Sequence, residues 1–488
     1  MIERLDRQLE HHASAVEEAI SRHGLPLHIV FAEEIEANAT RFLDVGRRLY
    51  PQTSVLFAVK SNPCRGALRV AAQLGLGADA ASEHELQAAL EEGIPPERIV
   101  CNGNAKTSRY LEAIVRCGSL CAVDNADELA ELSRIAARRG ERVPVLARFR
   151  GMPLSGFTAD DQTTASEWTK FGFPLSTADE VFATMRAAPG VSLEGISAHI
   201  GTQIADPAAY ELLVDHFLAL AHRAAARGQP FSIIDLGGGY PVAFLEQAPW
   251  AAFTARLWSR LAGRGATGAP VTWNDLAMGY AGAKPGDEAP RWEGKAYWSS
   301  FPGAAMLEHA LIHRDAEGRS TVERLRALGS PRLLVEPGRS LLATAGVTLA
   351  DVRGTKDVLG NPVVSLDLGI VNHGTNLITP DLFAAAVLPR HPDDRPFEAF
   401  LAGRLCFSGD MISKAKVPLN RAPSVGERVV IYGTGAYSAD HFASNSCGFP
   451  LPAKVAIDRH GRAEVWRRAQ TFADVFGPLD GRDAAPVG

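Results

Sequence analysis

The feature that most limits how this chain can fold is a rhythm. From about Leu27 to Glu336, apolar runs of strand length alternate with amphipathic runs of helix length. Pro26 to Phe31 reads as a strand and Glu33 to Tyr50 as a helix. Strand Ser54 to Val59, helix Cys64 to Leu74 and a short strand around Ala78 to Ala81 follow. Ser82, with Glu85 three residues on, makes a capping-box pattern for the next helix. Further strands are expected near Ile99 to Cys101, Leu120 to Val123, Val143 to Phe149, Ser192 to His199, Ser232 to Leu236 and Arg332 to Val335. Strands joined through helices run parallel. About eight regular alternations in roughly 300 residues suit an α/β fold of the (β/α)8 TIM-like barrel kind better than an open sheet.

After Glu336 the texture changes. Val347 to Val352, Val363 to Leu368, Arg428 to Tyr432 and Ala453 to Ile457 read as strands broken by Gly, Asn and Pro, the pattern of a separate C-terminal all-β domain. The expected organisation is an N-terminal helical segment, 1–26, packing on the β domain; a barrel, 27–340; a β domain, 341–480; and a frayed tail, 481–488. One stretch breaks the rhythm. Five of the seven tryptophans (Trp250, Trp258, Trp273, Trp292 and Trp298) fall in an insertion at about 241–311. So many aromatics need cover, over the active-site mouth, at a subunit interface or as simple extra core.

The bulk numbers exclude several classes of function. A formal net charge of −6 gives no reason to expect nucleic acid or an anionic membrane as partner. Cys64, Cys101, Cys117, Cys121, Cys406 and Cys447 show no C-x-x-C pair and no metal spacing, as expected of reduced thiols in a cytoplasmic protein. The charged start M-I-E-R-L-D-R-Q-L-E is no signal peptide, and no apolar run is long enough to span a bilayer.

Chemistry-bearing residues collect at expected strand ends. In V-L-F-A-V-K-S-N-P (Val55 to Pro63) an apolar run ends in Lys60, and Ser-Asn-Pro stops it. A lysine at the mouth of a buried strand can act as a nucleophile towards a carbonyl. Gly237, Gly238 and Gly239 follow the strand Ile233-Ile234-Asp235-Leu236, where bare backbone N–H groups can approach a phosphate. His199 ends another strand in S-A-H-I-G-T-Q, with a flat ring able to stack on an aromatic cofactor and Thr202 able to donate to a phosphate. Glu336 in V-E-P-G-R-S ends a third, where a carboxylate can keep a pyridinium protonated, and Arg339 can hold phosphate as a fork. An amine, a phosphate cup, a stacking ring and an acid partner together are the requirements of pyridoxal 5'-phosphate.

With these motifs the chain resembles the fold-type III pyridoxal-phosphate decarboxylases, the group of diaminopimelate, ornithine and arginine decarboxylases. The resemblance covers nearly the whole chain apart from the insertion. F-A-V-K-S-N-P matches the family's lysine motif, which implies Lys60 as carrier of the internal aldimine. G-A-D-A-A-S-E-H-E matches at Asp79 and Glu85, V-L-A-R-F-R at Arg148 and T-K-F-G at Lys170 to Gly172. S-A-H-I-G-T-Q, D-L-G-G-G-Y-P and E-P-G-R-S match around His199, the three glycines, Glu336 and Arg339. C-F-S-G-D, Cys406 to Asp410, is similar to the family's cysteine motif, which implies Cys406 as the acid that reprotonates the substrate carbon. G-A-Y-S implies that Tyr437 reaches the phosphate. The family's cysteine comes from the partner subunit, so the resemblance implies a homodimer with shared active sites and a small amino-acid substrate.

The departures from the family concern the substrate's far end. Diaminopimelate decarboxylases read it with R-P-x-L-Y, where this chain has Thr379-Pro380-Asp381-Leu382-Phe383. Their C-E-S-G-D glutamate is Phe407 here, and their Y-N-x-R-P stretch is Ser446-Cys447-Gly448-Phe449-Pro450. A pocket built for distal charges keeps its polar readers. The reading is therefore a decarboxylase of another amino acid or amino-acid conjugate, with Thr379, Phe383, Phe407 and Asp410 as expected pocket residues. A racemase on the same scaffold and a non-catalytic pyridoxal-phosphate carrier are the alternatives. Glu336 and Cys406 argue against the first, the β domain with Cys406 against the second.

Overall fold

A computed structural model describes residues 1–153, 163–263, 269–280, 292, 294–373, 382 and 384–477. The expected frayed tail, 481–488, lies outside the described residues. The chain forms two units: Glu36–Val242 with Glu293–Leu341, and Met1–Ile35 with Ala243–Trp292 and Leu342–Gly488.

The first unit is a closed parallel barrel. Its strands are β1 (Thr53–Ala58), β2 (Gly77–Ala80), β3 (Ile99–Cys101), β4 (Leu120–Val123), β5 (Val143–Arg150), β6 (Val191–Ser197), β7 (Ile233–Asp235) and β8 (Arg332–Val335). Each pairs in parallel with its sequence neighbour, and β8 closes on β1 through Val335 and Val55. Strands covered on both faces must be apolar throughout. Accordingly β2, β3 and β4 are buried along their whole lengths. Leu56, Val100, Leu120, Ala122, Leu146 and Leu334 form one apolar cluster across the barrel.

The loops that leave the strands' C-terminal ends are fixed by helix caps. Ser82, Thr107, Asn125 and Asp206 each accept a backbone N–H at the start of the next helix. The expected capping box is only half formed. Ser82 accepts the Glu85 N–H at 3.2 Å, but Glu85 reaches past the cap to the Ala81 N–H at 2.7 Å.

The second unit is an antiparallel-rich sheet. Its order is Met411–Leu419, Phe397–Ala402, Asn361–Leu366, Gly346–Val358, Leu27–Phe31, Ala453–Ile457 and Ala463–Arg467; Arg428–Tyr432 joins Gly346–Val358 to Ala385–Leu388. Leu27–Phe31 is a correction to the sequence reading, which began the barrel there. It pairs antiparallel with Gly346–Val358 and parallel with Ala453–Ile457, so the barrel begins with β1. Its five residues are buried, and Leu5, Val16 and Ala19 of the N-terminal helices Ile2–His11 and Ala13–His23 share its apolar cluster.

The described core of the aromatic insertion belongs to this second unit. Leu257, Val271 and Tyr280 form a small core with Phe253, Trp258 and Trp292. Trp273 meets Phe400 edge-on at 5.1 Å, the Lys416 N–H donates to the Val271 carbonyl at 3.0 Å, and Arg256 grips Glu398 through two bonds of 2.9 and 3.2 Å. Of the three expected covers for these aromatics, extra core is the one these contacts describe.

Candidate active site

The polar residues of the barrel unit meet at the C-terminal ends of the strands. Lys60 lies in a 3-10 turn directly after β1. Its Nζ sits 2.6 Å from Asp79 Oδ2 on β2, and its side chain is a third exposed while Asp79 is fully buried. Asn102, after β3, donates to Asp79 Oδ1 at 2.8 Å and to Glu336 Oε1 at 2.9 Å. Glu336, after β8, places Oε2 3.3 Å from His199 Nδ1, after β6. The Gly238 N–H, after β7, donates to the same ring nitrogen at 3.2 Å. One ring hydrogen cannot serve both contacts; with Gly238 donating, it sits on Nε2. A hydrogen-bonded chain thus runs from the Lys60 amine to Glu336 through Asp79 and Asn102, while His199 lies against Glu336 and accepts from the glycine turn.

The electrostatics follow from this chain. Burial alone would raise the Asp79 carboxyl, but the charges of Lys60 and His199 outweigh it and hold it below its ordinary value. Burial, then the Lys60 charge, pushes the His199 ring below its usual range, so it is neutral near neutral pH. Asp235, the last residue of β7, is pushed well above the carboxylate range by burial and then by the Glu336 charge. Its carboxyl accepts the Gly237 N–H at 2.9 Å and the Ser197 hydroxyl at 2.8 Å, which holds the glycine turn from behind.

The glycines are required by close approach. Gly237 has φ +64, and a Cβ there would lie 2.4 Å from the Ala198 carbonyl oxygen. A Cβ on Gly238 would lie 2.7 Å from both the Glu336 carbonyl oxygen and the His199 ring. Beside the turn, Arg339 donates to Thr202 Oγ1 at 3.2 Å and the Tyr210 hydroxyl to the Gly238 carbonyl at 3.0 Å. Gln203 accepts the Val242 N–H at 3.0 Å and donates to the carbonyls of Val242 and Ala296 at 2.6 and 2.9 Å, tying the chain's exit to its return. Arg148 stands 3.6 Å from Asp124 and 4.3 Å over the Phe171 ring, which unites two of the sequence motifs.

The remaining expected site residues belong elsewhere. Cys406, Phe407, Asp410 and Tyr437 are in the second unit, and Thr379 and Phe383 lie outside the described residues. Asp410, an expected pocket residue, accepts the Ile370 and Leu405 N–H groups at 2.6 and 2.7 Å through its carboxylate and so holds the turn that carries the exposed Cys406 and Phe407. Tyr437 has a left-handed φ of 65, and its carbonyl accepts the N–H groups of Asp440 and His441 at 3.2 and 3.0 Å. Sequence reasoning missed Asn102 and did not single out Asp235 as a site residue. Asn102 lies in C-N-G-N, which reads as a turn, but a polar side chain at the mouth of an apolar strand is the same signal that marks Lys60.

A closed parallel barrel with an amine, two carboxylates and a glycine turn at its strand ends, joined to a β unit, is the framework of a pyridoxal-phosphate enzyme. Residues 33–263 match the pyridoxal binding domain of the pyridoxal-dependent decarboxylases. The diaminopimelate decarboxylase of Actinosynnema pretiosum subsp. auranticum is 29% identical over 94% of this chain and 90% of its own length. That of Pseudomonas aeruginosa is 27% identical over 96% of both. The crystal structure of diaminopimelate decarboxylase from M. jannaschii with L-lysine superposes with a TM-score of 0.75 at 22% identity, covering 94% of this chain and 92% of that one. The chain carries the pyridoxal binding domain of these decarboxylases, is similar to them along nearly its whole length, and is an amino-acid decarboxylase. Relatives of this name give no support to excluding diaminopimelate as substrate.

The residues present fit the cofactor. The amine is the exposed member of an otherwise buried polar chain, as bonding to an aldehyde requires, and a buried carboxylate is available for a pyridine nitrogen. The glycine turn has no side chain to fill the space against the His199 ring. Among the described residues no helix is long and apolar enough to cross a membrane.

Proposed function

We propose that the chain decarboxylates an amino acid at the barrel's strand ends, with Lys60 as the amine that holds pyridoxal phosphate. With that cofactor in place, Glu336 would partner the pyridine nitrogen, His199 would cover the ring, and Gly237 to Gly239, Thr202, Arg339 and Tyr437 would hold the phosphate. Asp79 and Arg148 complete the cofactor's surroundings. The cofactor, when bound, supplies an electron sink conjugated to the substrate's α-carbon. The chain's own residues do the rest. Asp79 keeps a carboxylate 2.6 Å from the Lys60 nitrogen and holds it in place. Glu336 would hold a proton on the pyridine nitrogen, and the neutral His199 ring would cover the cofactor without adding a charge. Cys406 returns a proton to the α-carbon. The observation that carries this reading is the hydrogen-bonded chain from Lys60 to Glu336, which brings the amine and the acid partner into one group.

Cys406 is assigned to the neighbouring copy's site, which makes the working form a homodimer. In support, Cys406 is exposed and Phe407 is 58% exposed in the single chain. Six free thiols support a reducing compartment such as the cytoplasm. For the substrate, the relatives' shared name makes diaminopimelate the reference compound. Phe407, in place of the family's glutamate, supports a distal group without that compound's ammonium and carboxylate. Trapped carbon dioxide, measured over L- and D-amino acids, their conjugates and diaminopimelate, tests this. Turnover of diaminopimelate above all others overturns the substrate reading. Inversion of the α-carbon without carbon dioxide overturns the Cys406 role.

A further inference from the structure

We propose that Asn102 is a positioning residue that sets the charge balance between the lysine side and the pyridine side of the site. Both contacts of its amide nitrogen go to carboxylate oxygens, Asp79 Oδ1 at 2.8 Å and Glu336 Oε1 at 2.9 Å. The orientation of this amide is not free. Turning it over would set its carbonyl oxygen against the two carboxylates, three acceptors facing one another with no hydrogen among them. Asn102 therefore stands as a double donor, and the two oxygens it touches act as acceptors.

The position is held rigidly enough for that task. Asn102 is 8% exposed, and its own N–H extends the strand pairing by donating to the Ala80 carbonyl at 2.7 Å. The chain then turns at Gly103, whose φ of +125 suits glycine. Beyond the turn, the fully buried Lys106 side chain donates to the carbonyls of Gly103 and Ala122 at 2.9 and 2.8 Å and to Glu128 at 2.7 Å. Backbone and loop are thus fixed on both sides of Asn102, so its amide is preorganised.

Two carboxylates near one another in a buried site repel, and the usual relief is for one to take up a proton. A neutral double donor offers another relief. It lends a hydrogen to each carboxylate without adding a charge. Asp79 can then face Lys60, and Glu336 a pyridine nitrogen, at the same time. A lysine in the place of Asn102 would neutralise the pair, and an aspartate would aggravate it. Asparagine is the isosteric compromise between them.

The assignment rests on the roles proposed for Lys60 and Glu336. Its test is the pH midpoint of the visible absorbance of the holoenzyme, with melting temperature and pyridoxal-phosphate dissociation measured in parallel. Asn102→Leu removes both donors at similar volume. Asp79 then loses a donor, leans more on the Lys60 nitrogen and holds a proton there to higher pH. The expected midpoint moves up by about one pH unit, the size of a hydrogen bond to an ion, and cofactor release quickens. Asn102→Ser keeps one donor and is expected to shift the midpoint less, and it decides the matter if the leucine variant fails to fold. A lowered melting temperature with an unmoved midpoint in the folded variants means that Asn102 only fills space, which overturns the proposal. A wild-type protein with no visible band when supplied with the cofactor would instead overturn the reading of Lys60, a distinguishable failure.

Discussion

The strand-end ring of the barrel unit and the Cys406 turn of the β unit carry complementary parts of the proposed chemistry and are built in opposite ways. In the ring, Asp79 and Glu336 are 0% and 1% exposed, and Asn102 bonds to both. In the turn the backbone is fixed, because Asp410 accepts two N–H groups and its own carbonyl takes the Gly403 N–H at 2.8 Å. Yet Cys406 is exposed and Phe407 is more than half exposed. A cofactor bed must be preorganised within one body. A rigid turn with bare side chains is what an element completed by another surface needs. The contrast teaches that the proposed cofactor bed is satisfied within its own unit, whereas the Cys406 turn fixes its backbone and leaves its side chains exposed.

The largest expected effect breaks or sustains the first half of that contrast. Lys60→Ala should abolish the visible absorbance of the bound cofactor and reduce turnover by roughly 10⁴-fold or more. A band that survives in this variant ends the lysine assignment. Next in size, Cys406→Ala should leave the band in place and lower kcat by about 10²–10⁴-fold, the range for a lost acid. If the turn serves the neighbouring copy, mixing the Lys60→Ala and Cys406→Ala proteins should restore about a quarter of wild-type activity, since half the dimers are mixed and each has one intact site. No recovery, with subunit exchange verified, would make the turn serve its own chain.

Legibility in the sequence divides along the same line. The ring was readable because each member follows an apolar run: Lys60 after V-L-F-A-V, Glu336 after R-L-L-V and the glycines after I-I-D-L. Asn102 was missed because Asn-Gly is also the commonest turn signal. Leu27–Phe31 was misplaced because a strand followed by a helix is locally identical to a barrel unit. Its partners, Gly346–Val358 and Ala453–Ile457, lie in the last third of the chain, and no local pattern announces that they pair with it. The β unit's other strands, such as Phe397–Ala402 and Met411–Leu419, are interrupted by bulges that spoil the two-residue alternation.

Acid titration sharpens the account of the ring. The Asp79 carboxyl titrates lower in the folded chain than in the unfolded one. Its contribution to stability is therefore complete above the unfolded value near about 3.9 and is lost as pH falls through the folded value. Asp235 is shifted the other way, chiefly by burial. Its cost appears as pH rises past the unfolded value and is complete above the folded one. Asp79→Asn should flatten the acid-side fall in melting temperature. Asp235→Asn should raise the melting temperature at neutral pH relative to acid, because an amide can still accept the Gly237 N–H. Like trends in both variants would mean that the two carboxyls are not in different electrostatic states.

The smallest expected effect concerns the insertion and tests whether it belongs with the β unit in energy as well as in contact. Arg256 on the insertion and Glu398 on the sheet are 53% and 44% exposed. Solvent screens such a pair, and even its two-bond geometry is worth only about 0–1 kcal/mol. Arg256→Ala should lower stability within that range, and less in high salt, while the visible band and its pH midpoint stay where they are. The apolar contacts should matter more, since Trp273 against Phe400 buries an aromatic edge that salt does not screen. Trp273→Ala should therefore destabilise more than Arg256→Ala and do so independently of ionic strength. The reverse order would mean that the insertion is held to the sheet by charge, and that its tryptophans are kept for something other than packing.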